Sequence, residues 1–398
     1  MKDRVILHCD LNNFFASVSL LFNPTLYGLP VAVCGEKEER HGIVLAKNEL
    51  AKSFGVKTAE TIYQAKTKCP DLVILKPDYK KYKEYSDAAY EIYSRYTDMI
   101  EPFGIDECWL DVTGSRLLFG DGETIANKIR NEIKRELGIT VSVGVSFNKI
   151  FAKLGSDMKK PDAVTVISKE NFKEKVWPLP VSDLLFVGKR TCERLYSLSI
   201  FTIGDLTLCS DDTLNRLLGK NGKLLKKYAL GLDDSPVSNQ NDIYIPKSVG
   251  RSVTQAKDFT TPEQVKRVFT ELSQDISDTL RLYNLLAGGI QVHIRTSSLS
   301  VREFSRALSK PTNSATLISK KGMELFLEKV VFNQPLRSVG LRAINLKDST
   351  FAVQQDFFGS LEADERQEKI DDSVWKVRKK FGDNSLKKGN TLENDKNS

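Results

Sequence analysis

The stretch GIDECWLDV, from Gly104 to Val112, decides how the rest of this chain can be interpreted. It places two neighbouring carboxylates, Asp106 and Glu107, inside a short apolar run with the pattern of a β-strand. Burying two negative charges is costly unless a partner neutralises them. Because Mg²⁺ prefers hard oxygen ligands, the pattern indicates a divalent metal site.

A third carboxylate, Asp10, ends the apolar run that begins at Val5. Successive strand residues point to opposite faces, so Asp106 and Glu107 reach one site only if the chain bends, as Gly104 would permit. Two strands that bring three carboxylates to one sheet edge have the layout of a two-metal phosphoryl-transfer site. The chain has 52 Asp and Glu residues, however, and such pairs usually lie on solvated surface, so the pair alone does not establish a site.

Three segments of the chain resemble the motifs of one known protein family, in the order and spacing of that family. They are CDLNNFFASV (Cys9 to Val18), GIDECWLDV, and VSVGVSFNKIFAKLGSDMKKP (Val141 to Pro161). Together they resemble the Y-family DNA polymerases, the translesion enzymes, and the resemblance extends from about residue 3 to about residue 348. It implies template-directed addition of dNTPs to the 3′-OH of a primer on template DNA, with low fidelity and no proofreading.

The resemblance also implies an α+β multidomain fold, a right-hand polymerase with a ferredoxin-like palm, small fingers, a helical thumb with a helix-hairpin-helix, and an α/β little finger. The predicted ranges are 1–18 and 78–166 for the palm, 19–77 for the fingers, 167–233 for the thumb, 234–245 for a linker, 246–348 for the little finger and 349–398 for a tail. Periodicity agrees: Ile125, Ile129 and Ile133 mark a helix, and Val141, Val143 and Val145 alternate as a strand. These elements predict an antiparallel palm sheet backed by helices.

By the same resemblance, Asp10, Asp106 and Glu107 are the catalytic residues. With the Leu11 carbonyl they would bind two Mg²⁺ ions, for which Mn²⁺ can substitute. The nucleotide contacts carried over from the family are Asn12, Asn13, Phe14, Phe15, Glu49, Lys52 and Lys160. Phe15 matches the steric gate that excludes a ribose 2′-OH, whereas the ring of Phe14 is expected in the core. Lys160 matches the lysine that reaches the triphosphate.

The fingers depart from the family at two of these positions. A tyrosine and an arginine, three residues apart, usually hold the triphosphate, and this chain has Glu49 and Lys52 instead. Lysine serves phosphate as a point charge but lacks the arginine fork. A carboxylate beside a triphosphate is repulsive, so Glu49 either points to solvent or pairs with Lys52.

DNA contacts are expected in the thumb and in the little finger. Gly188, Lys189 and Arg190 begin a helix whose N–H groups can bind a phosphate, although the usual glycine two residues before Gly188 is Phe186 here. Gly219 to Gly222 is either a second phosphate contact or an ordinary helix connection. In PKSVGRSVT, the predicted DNA contacts are Lys247, Ser248, Arg251 and Ser252.

The tail contains a short motif of the kind that binds another protein. Gln354 to Phe358 resembles the pentapeptide by which bacterial polymerases bind the sliding clamp, with Gln354, Asp356, Phe357 and Phe358 as the contacts. A short amphipathic helix is then predicted from Ile370, Val374, Val377 and Phe381.

Composition restricts the remaining possibilities. The chain has 398 residues and a net charge of +7, which is compatible with a polyanionic partner. No apolar run approaches the roughly 18 residues that span a bilayer, and no signal peptide is evident. Six cysteines without CxxC spacing indicate neither zinc nor disulfides. We therefore expect a cytoplasmic monomer with no membrane partner.

Two other functions compete with polymerisation. Paired carboxylates also serve metal-dependent nucleases, against which Phe15 and Lys160 argue. A non-catalytic DNA-binding repair scaffold is disfavoured because Asp10, Asp106 and Glu107 are all present. Within the family, the polymerase IV type works alone and the UmuC type needs protein activators. Lys52 favours the UmuC type, whereas PKSVG favours the polymerase IV type, so the sequence leaves the two open.

Overall fold

A computed structural model of the chain describes residues 4–35, 42–242, 245–350, 362–382 and 385–386. These residues form two compact units, which divide after Asp242. None of the described helices is long and apolar enough to cross a membrane.

The first unit begins with β1 (Ile6–Leu11) and α1 (Phe14–Leu21). The segment predicted as the fingers follows with β2 (Val31–Cys34), β3 (Val44–Lys47), α2 (Glu49–Ser53), α3 (Ile62–Lys68) and β4 (Val73–Leu75). The chain returns to the palm with α4 (Tyr79–Ser94), β5 (Ile100–Pro102), β6 (Glu107–Asp111), α5 (Arg116–Phe119), α6 (Gly122–Leu137), β7 (Val141–Ser146), α7 (Lys149–Met158) and β8 (Val164–Ile167). The thumb segment contains α8 (Phe172–Val176), α9 (Lys189–Tyr196), α10 (Ile203–Leu208), α11 (Asp211–Leu218) and α12 (Lys220–Ala229).

The palm sheet has the order β5-β6-β1-β7-β8. Strand β1 lies in its centre and pairs antiparallel with both β6 and β7. The prediction of an antiparallel sheet is wrong at one edge, where β8 pairs parallel with β7. The reason is that α7 connects these two strands, and a helical crossover returns the chain in its original direction.

Helices cover both faces of the palm sheet. Leu7, Cys9 and Leu11 of β1 share one core with α1, α4 and α6, including the predicted stripe of isoleucines on α6. Helix α7 covers the opposite face, where its Ala152 packs with Ile6 and Trp109. Gly144 on β7 permits this approach, because a Cβ there would lie 1.9 Å from the carbonyl oxygen of Ala152. The residues of β1 that alternate with the core therefore face α7.

The fingers are small, and their sheet has the order β3-β2-β4 with a core of its own. The helical thumb instead continues the core of α7, since Ile150, Phe151 and Leu154 cluster with the thumb residues.

The first half of the predicted linker packs against the palm. Val237 is buried beside Trp109, and the backbone N–H of Ser238 donates to Glu101 Oε2 at 3.0 Å. Arg4 donates to the Ser235 carbonyl at 2.8 Å. A polar sequence predicted a loose connection here, but its backbone groups find partners on the palm.

The second unit contains β9 (Val249–Phe259), α13 (Pro262–Leu282), β10 (Leu285–Thr296), β11 (Val301–Thr312), α14 (Ala315–Lys329), β12 (Leu336–Ile344), β13 (Lys347–Asp348) and α15 (Glu362–Phe381). The first six elements run strand, helix, strand, strand, helix, strand, in agreement with the α/β little finger that the resemblance implies. Their sheet has the order β11-β10-β12-β9, and residues of α13 and α14 share its core.

The tail helix α15 differs from the prediction. It spans 20 residues and packs against α14, so this part of the tail belongs to the little finger rather than lying outside it. Of its predicted apolar stripe, Ile370 and Phe381 are 48% and 66% exposed, whereas Val374 and Val377 are half-buried. Among the α15 residues whose side chains are described, Asp371 is the buried one, and it accepts hydrogen bonds from the backbone N–H and the hydroxyl of Thr316, both at 2.9 Å.

Candidate active site

The register of the palm sheet brings two predicted catalytic carboxylates together. Asp10 on β1 stands directly opposite Glu107 on β6, and antiparallel partners present their side chains on the same face. Asp106 lies in the bend just before β6, so strand alternation does not constrain it. The backbone N–H of Leu11 donates to the Asp106 carbonyl at 3.0 Å, which fixes the bend against the end of β1.

Lys153 on α7 lies between the carboxylates. Its Nζ is 3.1 Å from Asp10 Oδ2, 3.1 Å from Glu107 Oε1 and 3.2 Å from Asp157 Oδ2. Burial alone would lower the pKa of Lys153, but the charges of Asp10, Asp157 and Glu107 outweigh it and raise the pKa. No role was predicted for Lys153; the available signal was its spacing of four residues from Asp157, a pair on one helical face.

Lys160, predicted to reach the triphosphate, also lies at the site. Its Nζ is 2.7 Å from Asp10 Oδ2 and 2.9 Å from Asp157 Oδ1. Burial lowers the pKa of Lys160, whereas Asp10 and Asp157 raise it, and the net shift is upward. Asp10 is thus shared by two ammonium groups.

The two neighbouring carboxyls have opposite pKa shifts. Burial raises the pKa of Asp106 to about 6, and the negative charges of Asp10 and Glu107 add to this effect. Burial also acts to raise the pKa of Glu107, but a contact with His8 and the charge of Lys153 lower it to about 2. The pairing of Asp10 with Glu107, and the bond from Leu11 to the Asp106 backbone, bring the three acidic residues to one end of the sheet.

These side chains fit a hard divalent cation. Among the described residues, no three His, Cys, Asp or Glu side chains form a ready-made metal-binding group. Instead, the ammonium groups of Lys153 and Lys160 neutralise the acidic oxygens. The donors are nonetheless carboxylate oxygens of the kind that Mg²⁺ prefers, and Glu107 Oε2 is buried without a hydrogen-bond partner among the described residues.

Two of the predicted nucleotide contacts, Asn12 and Phe14, are buried in the protein, whereas Phe15 is only half-buried. Asn12 is buried, and its amide is used internally: Nδ2 donates to Ser142 Oγ, and Oδ1 accepts from the backbone N–H of Asp162. Phe14 is in the core, as its packing prediction required. Phe15 is half-buried, and its ring stacks on that of Tyr82. The side chains of Asn12 and Phe14 are therefore held inside the protein.

Glu49 and Lys52 lie at the start and end of α2 and interact with each other. Glu49 Oε2 is 3.4 Å from Lys52 Nζ, while Glu49 Oε1 accepts a hydrogen bond of 2.9 Å from Asn13 Nδ2. Asn13 has left-handed backbone angles at the start of α1. The pairing that the sequence left as one of two alternatives for Glu49 is thus present, together with a contact from the fingers to the palm.

The thumb hairpin keeps its backbone shape despite Phe186. This residue has a φ of 69°, the left-handed conformation that favours the glycine of the family. Gly188 then begins α9, and Lys189 and Arg190 are exposed there. At the second candidate, Gly219 joins α11 to α12, but Lys226 is engaged with the Cys209 carbonyl and Asp211.

The predicted contacts of the little finger do not share one face. Arg251 reaches Thr279 on α13 at 3.3 Å, whereas Ser252, the next strand residue, points to the other face. Ser248 accepts a hydrogen bond from Arg342 at 3.0 Å, and Lys247 is exposed. The predicted clamp-binding residues, Gln354, Asp356, Phe357 and Phe358, lie outside the described residues.

Comparison with known proteins agrees with this geometry. Residues 9–157 match the impB/mucB/samB family, and residues 246–357 match the C-terminal domain of that family. A DNA polymerase IV of Acetivibrio thermocellus is 49% identical over 98% of this chain and 98% of its own length. DNA polymerase IV 1 of Bacillus subtilis is 37% identical over 98% of this chain and 94% of its own length.

A solved structure supports the fold. A chimeric Y-family DNA polymerase aligns with a TM-score of 0.76 and 24% identity, covering 86% of this chain and 99% of that chain. The names of the sequence relatives favour the polymerase IV type over the UmuC type. Their identity over nearly the whole chain, with the two family matches, shows that the chain belongs to the Y family of DNA polymerases and is a DNA-directed DNA polymerase.

Proposed function

We propose that this polymerase performs translesion synthesis by two-metal catalysis, with Asp10, Asp106, Glu107 and the Leu11 carbonyl as the metal ligands. The observation that carries this proposal is the register of β1 and β6, which sets Asp10 opposite Glu107 beside the bend that holds Asp106. A DNA polymerase of this family depends on divalent metal ions, and we propose Mg²⁺, with Mn²⁺ as a substitute.

The chain's own residues supply charge and position. When bound, the metal ions would lower the pKa of the primer 3′-OH and neutralise the triphosphate. Lys160, already beside Asp10, would contact the triphosphate. Lys153 contacts both Asp10 and Glu107 and holds the two carboxylates close together. Catalysis then consists mainly of positioning and electrostatics.

Small fingers support the proposal of low fidelity. Strands β2, β3 and β4 have four, four and three residues, and α2 and α3 have five and seven. So small a segment offers little surface against which to test the shape of the nascent base pair. Damaged template bases would be accepted for the same reason, and the sequence offers no second acidic cluster for proofreading.

The remaining parts of the proposal concern DNA and the clamp. The exposed Lys189, Arg190 and Lys247 would contact phosphates, which gives binding without sequence preference. The peptide from Gln354 to Phe358 would bind the sliding clamp and keep a weakly held, monomeric enzyme on its template.

Primer extension with Mg²⁺ and dNTPs tests the proposed function. The purified single chain should lengthen the primer without protein activators, as expected for the polymerase IV type. Asp106→Ala should abolish extension while leaving DNA affinity nearly unchanged, because phosphate contacts dominate that affinity. Shortening of the primer would indicate a nuclease, and DNA binding without extension would indicate a scaffold. Ordinary turnover by a correctly folded Asp106→Ala variant would contradict the metal assignment.

A further inference from the structure

The imidazole of His8 lies buried beneath the carboxylates and has no role in the mechanism proposed above. It stands in the middle of β1, opposite Trp109 on β6 and Gly144 on β7. Its ring centroid is 5.3 Å from that of Trp109 and 6.5 Å from that of Phe103, both edge-on. The imidazole is therefore confined, and each of its two nitrogens can contact only the group that lies next to it in the plane of the ring.

The two nitrogens face different elements. Nδ1 is 2.9 Å from the hydroxyl oxygen of Ser156 on α7, and Nε2 is 3.3 Å from Glu107 Oε2. The contact between Nε2 and Glu107 Oε2 lacks the alignment of a full hydrogen bond. Neither Nε2 nor Oε2 has another hydrogen-bond partner among the described residues. Leaving two buried polar atoms unsatisfied is costly. A small rotation that joins them satisfies both atoms at once.

Proton counting decides which nitrogen carries the hydrogen. If Nδ1 carried it, Nε2 would present a lone pair to the carboxylate of Glu107, an arrangement with two acceptors and no donor. If Nε2 carries it, Nε2 donates to Glu107 and Nδ1 accepts from the hydroxyl of Ser156. That hydroxyl has a single proton and also lies 2.7 Å from the Lys153 carbonyl. It can therefore turn from the carbonyl to the imidazole.

The surroundings favour the neutral ring. A neutral imidazole with its proton on Nε2 satisfies every polar atom of the group without a buried positive charge.

We infer that His8 is a positioning residue for Glu107: its Nε2–H donates to Oε2 and so directs Oε1 toward Asp10. Lys153 Nζ lies 3.1 Å from Glu107 Oε1 and 3.1 Å from Asp10 Oδ2, so one positive charge can contact both carboxylates when Oε1 is held in this orientation. Hydrogen bonds that orient a metal ligand commonly affect metal affinity about 10–100-fold. The inference rests on the proposed function, because it takes Glu107 as a metal ligand.

Nitrogen NMR of the wild-type protein tests the tautomer directly. The chain has three histidines, so selective ¹⁵N-histidine labelling gives few signals, and His8→Gln identifies those of His8. We expect the shift pattern of a neutral ring protonated on Nε2. A ring protonated on Nδ1 would overturn the inference whatever the behaviour of the variants.

Metal binding tests the consequence without turnover. The probe is Mn²⁺, followed by electron paramagnetic resonance in a complex with a dideoxy-terminated primer-template and the next matching dNTP. His8→Leu, which removes the donor, should weaken Mn²⁺ binding about 10–100-fold. His8→Gln, whose amide can still donate to Glu107, should stay within about threefold of wild type. In turnover, His8→Leu should lower kcat more than it raises the KM for dNTP.

Glu107→Gln separates the two ways in which the inference can fail. If Glu107→Gln leaves Mn²⁺ affinity unchanged, the metal assignment in the proposed function is wrong, and the role of His8 is wrong with it. If Glu107→Gln weakens Mn²⁺ binding and a folded His8→Leu does not, His8 is an ordinary core histidine and the metal assignment stands. Circular dichroism reports whether His8→Leu folds, and the tautomer measurement decides if it does not.

Discussion

The ring of Phe15 stacks on the ring of Tyr82, with centroids 4.1 Å apart and planes within 8° of parallel. Tyr82 is itself immobile, because it is fully buried and its hydroxyl lies 2.8 Å from that of Ser19. A side chain that selects nucleotides by steric exclusion must keep its position when the sugar contacts it. The stack gives Phe15 a rigid support.

Phe15→Ala is expected to admit ribonucleotides. Loss of the ring leaves room for a 2′-OH and removes none of the proposed metal ligands, so dNTP insertion should persist. The ratio of kcat/KM for dNTP over rNTP should fall about 10–100-fold, the scale on which a pocket rejects one added group. Single-nucleotide insertion assays measure this ratio.

Two substitutions of Tyr82 control for this experiment. Tyr82→Phe keeps the stack and loses only the contact with Ser19, so selectivity should be unchanged while stability falls by about 1 kcal/mol. Tyr82→Leu removes the flat support and should give an intermediate loss of selectivity. Unchanged selectivity in Phe15→Ala would mean that the ring serves only the core.

Glu49→Gln is expected to strengthen nucleotide binding. Glu49 lies 3.4 Å from Lys52 and would repel a triphosphate bound by that lysine, whereas glutamine keeps the hydrogen bond from Asn13 without the charge. Both side chains of the ion pair are about half exposed, so solvent screening limits the effect to at most about 1 kcal/mol. The KM for dNTP should therefore fall about twofold to fivefold, with kcat unchanged.

Lys52→Met is expected to weaken nucleotide binding, since it removes the cation and leaves the negative charge of Glu49 without a neutralising partner. Its KM should rise, and the difference between the two variants should shrink at high salt. A higher KM in Glu49→Gln would show that the carboxylate helps to hold the fingers in place rather than opposing the nucleotide.

Asp106 should make the stability of the metal-free protein depend on pH. Its pKa is raised to about 6 by burial and by the charges of Asp10 and Glu107, from about 3.9 in an unfolded chain. A raised pKa contributes stability that is fully present below the unfolded value and is lost as pH rises through about 6. Asp106→Asn lacks this titration, so relative to wild type it should gain about 1–2 kcal/mol of stability between pH 5 and pH 7.5.

Urea unfolding in EDTA at the two pH values measures this difference. Asp87→Asn, on the exposed face of α4, serves as the control and should show a smaller change. A difference between wild type and Asp106→Asn that does not vary with pH would show that the three carboxyls do not share one site.

The sequence was sufficient where the signal is local or repeated. Alternation along Val141, Val143 and Val145 identified β7, and the spacing of the isoleucines identified α6. The family motif placed Asp10 and Glu107 in one site, and β1 and β6 indeed pair at these residues.

The sequence was insufficient where a contact depends on packing between distant segments. Lys153 reaches Glu107 only because α7 lies against β7 at Gly144, and no spacing within either segment encodes that approach. His8 reaches Glu107 diagonally across the pairing of β1 with β6, which also joins distant segments. The linker was interpreted from its polarity alone, yet Val237 is buried. On α15 the apolar stripe was right only in part, since Val374 and Val377 are half-buried while Ile370 and Phe381 are exposed. The buried Asp371 bonds to Thr316 near the start of α14, a polar contact that an apolar stripe does not predict.

Asp371→Ala is therefore expected to release α15. The Asp371 carboxylate accepts hydrogen bonds from Ser314, Thr316 and Gln367, and Ser314 begins α14. Removing the acceptor leaves buried donors unsatisfied, at a cost of about 1–3 kcal/mol. Hydrogen exchange across 362–381 should become faster, while exchange in α6 of the first unit should not change. Ser373→Ala, on the exposed side of α15, is the matched control, and equal exchange in both variants would show that Asp371 is not the anchor.

The last prediction concerns the sliding clamp and depends on the sequence QQDFF, since residues 354–358 lie outside the described part of the chain. A polymerase with small fingers and mainly phosphate contacts should dissociate after few additions, so a tether would increase its synthesis. Phe357 and Phe358 offer two aromatic rings to an apolar cleft, and each contributes about 1.5–3 kcal/mol when fully buried. Losing both should weaken clamp binding by at least about 100-fold.

Phe357→Ala combined with Phe358→Ala should therefore abolish clamp binding and the stimulation of synthesis by the clamp. Surface plasmon resonance against the immobilised clamp measures the first, and extension on primed circular DNA with and without loaded clamp measures the second. Basal extension without clamp should equal that of wild type, because neither ring belongs to the proposed active site. Retained clamp binding would place the contact elsewhere on the chain. Loss of basal extension would instead show that the two rings pack within the folded protein.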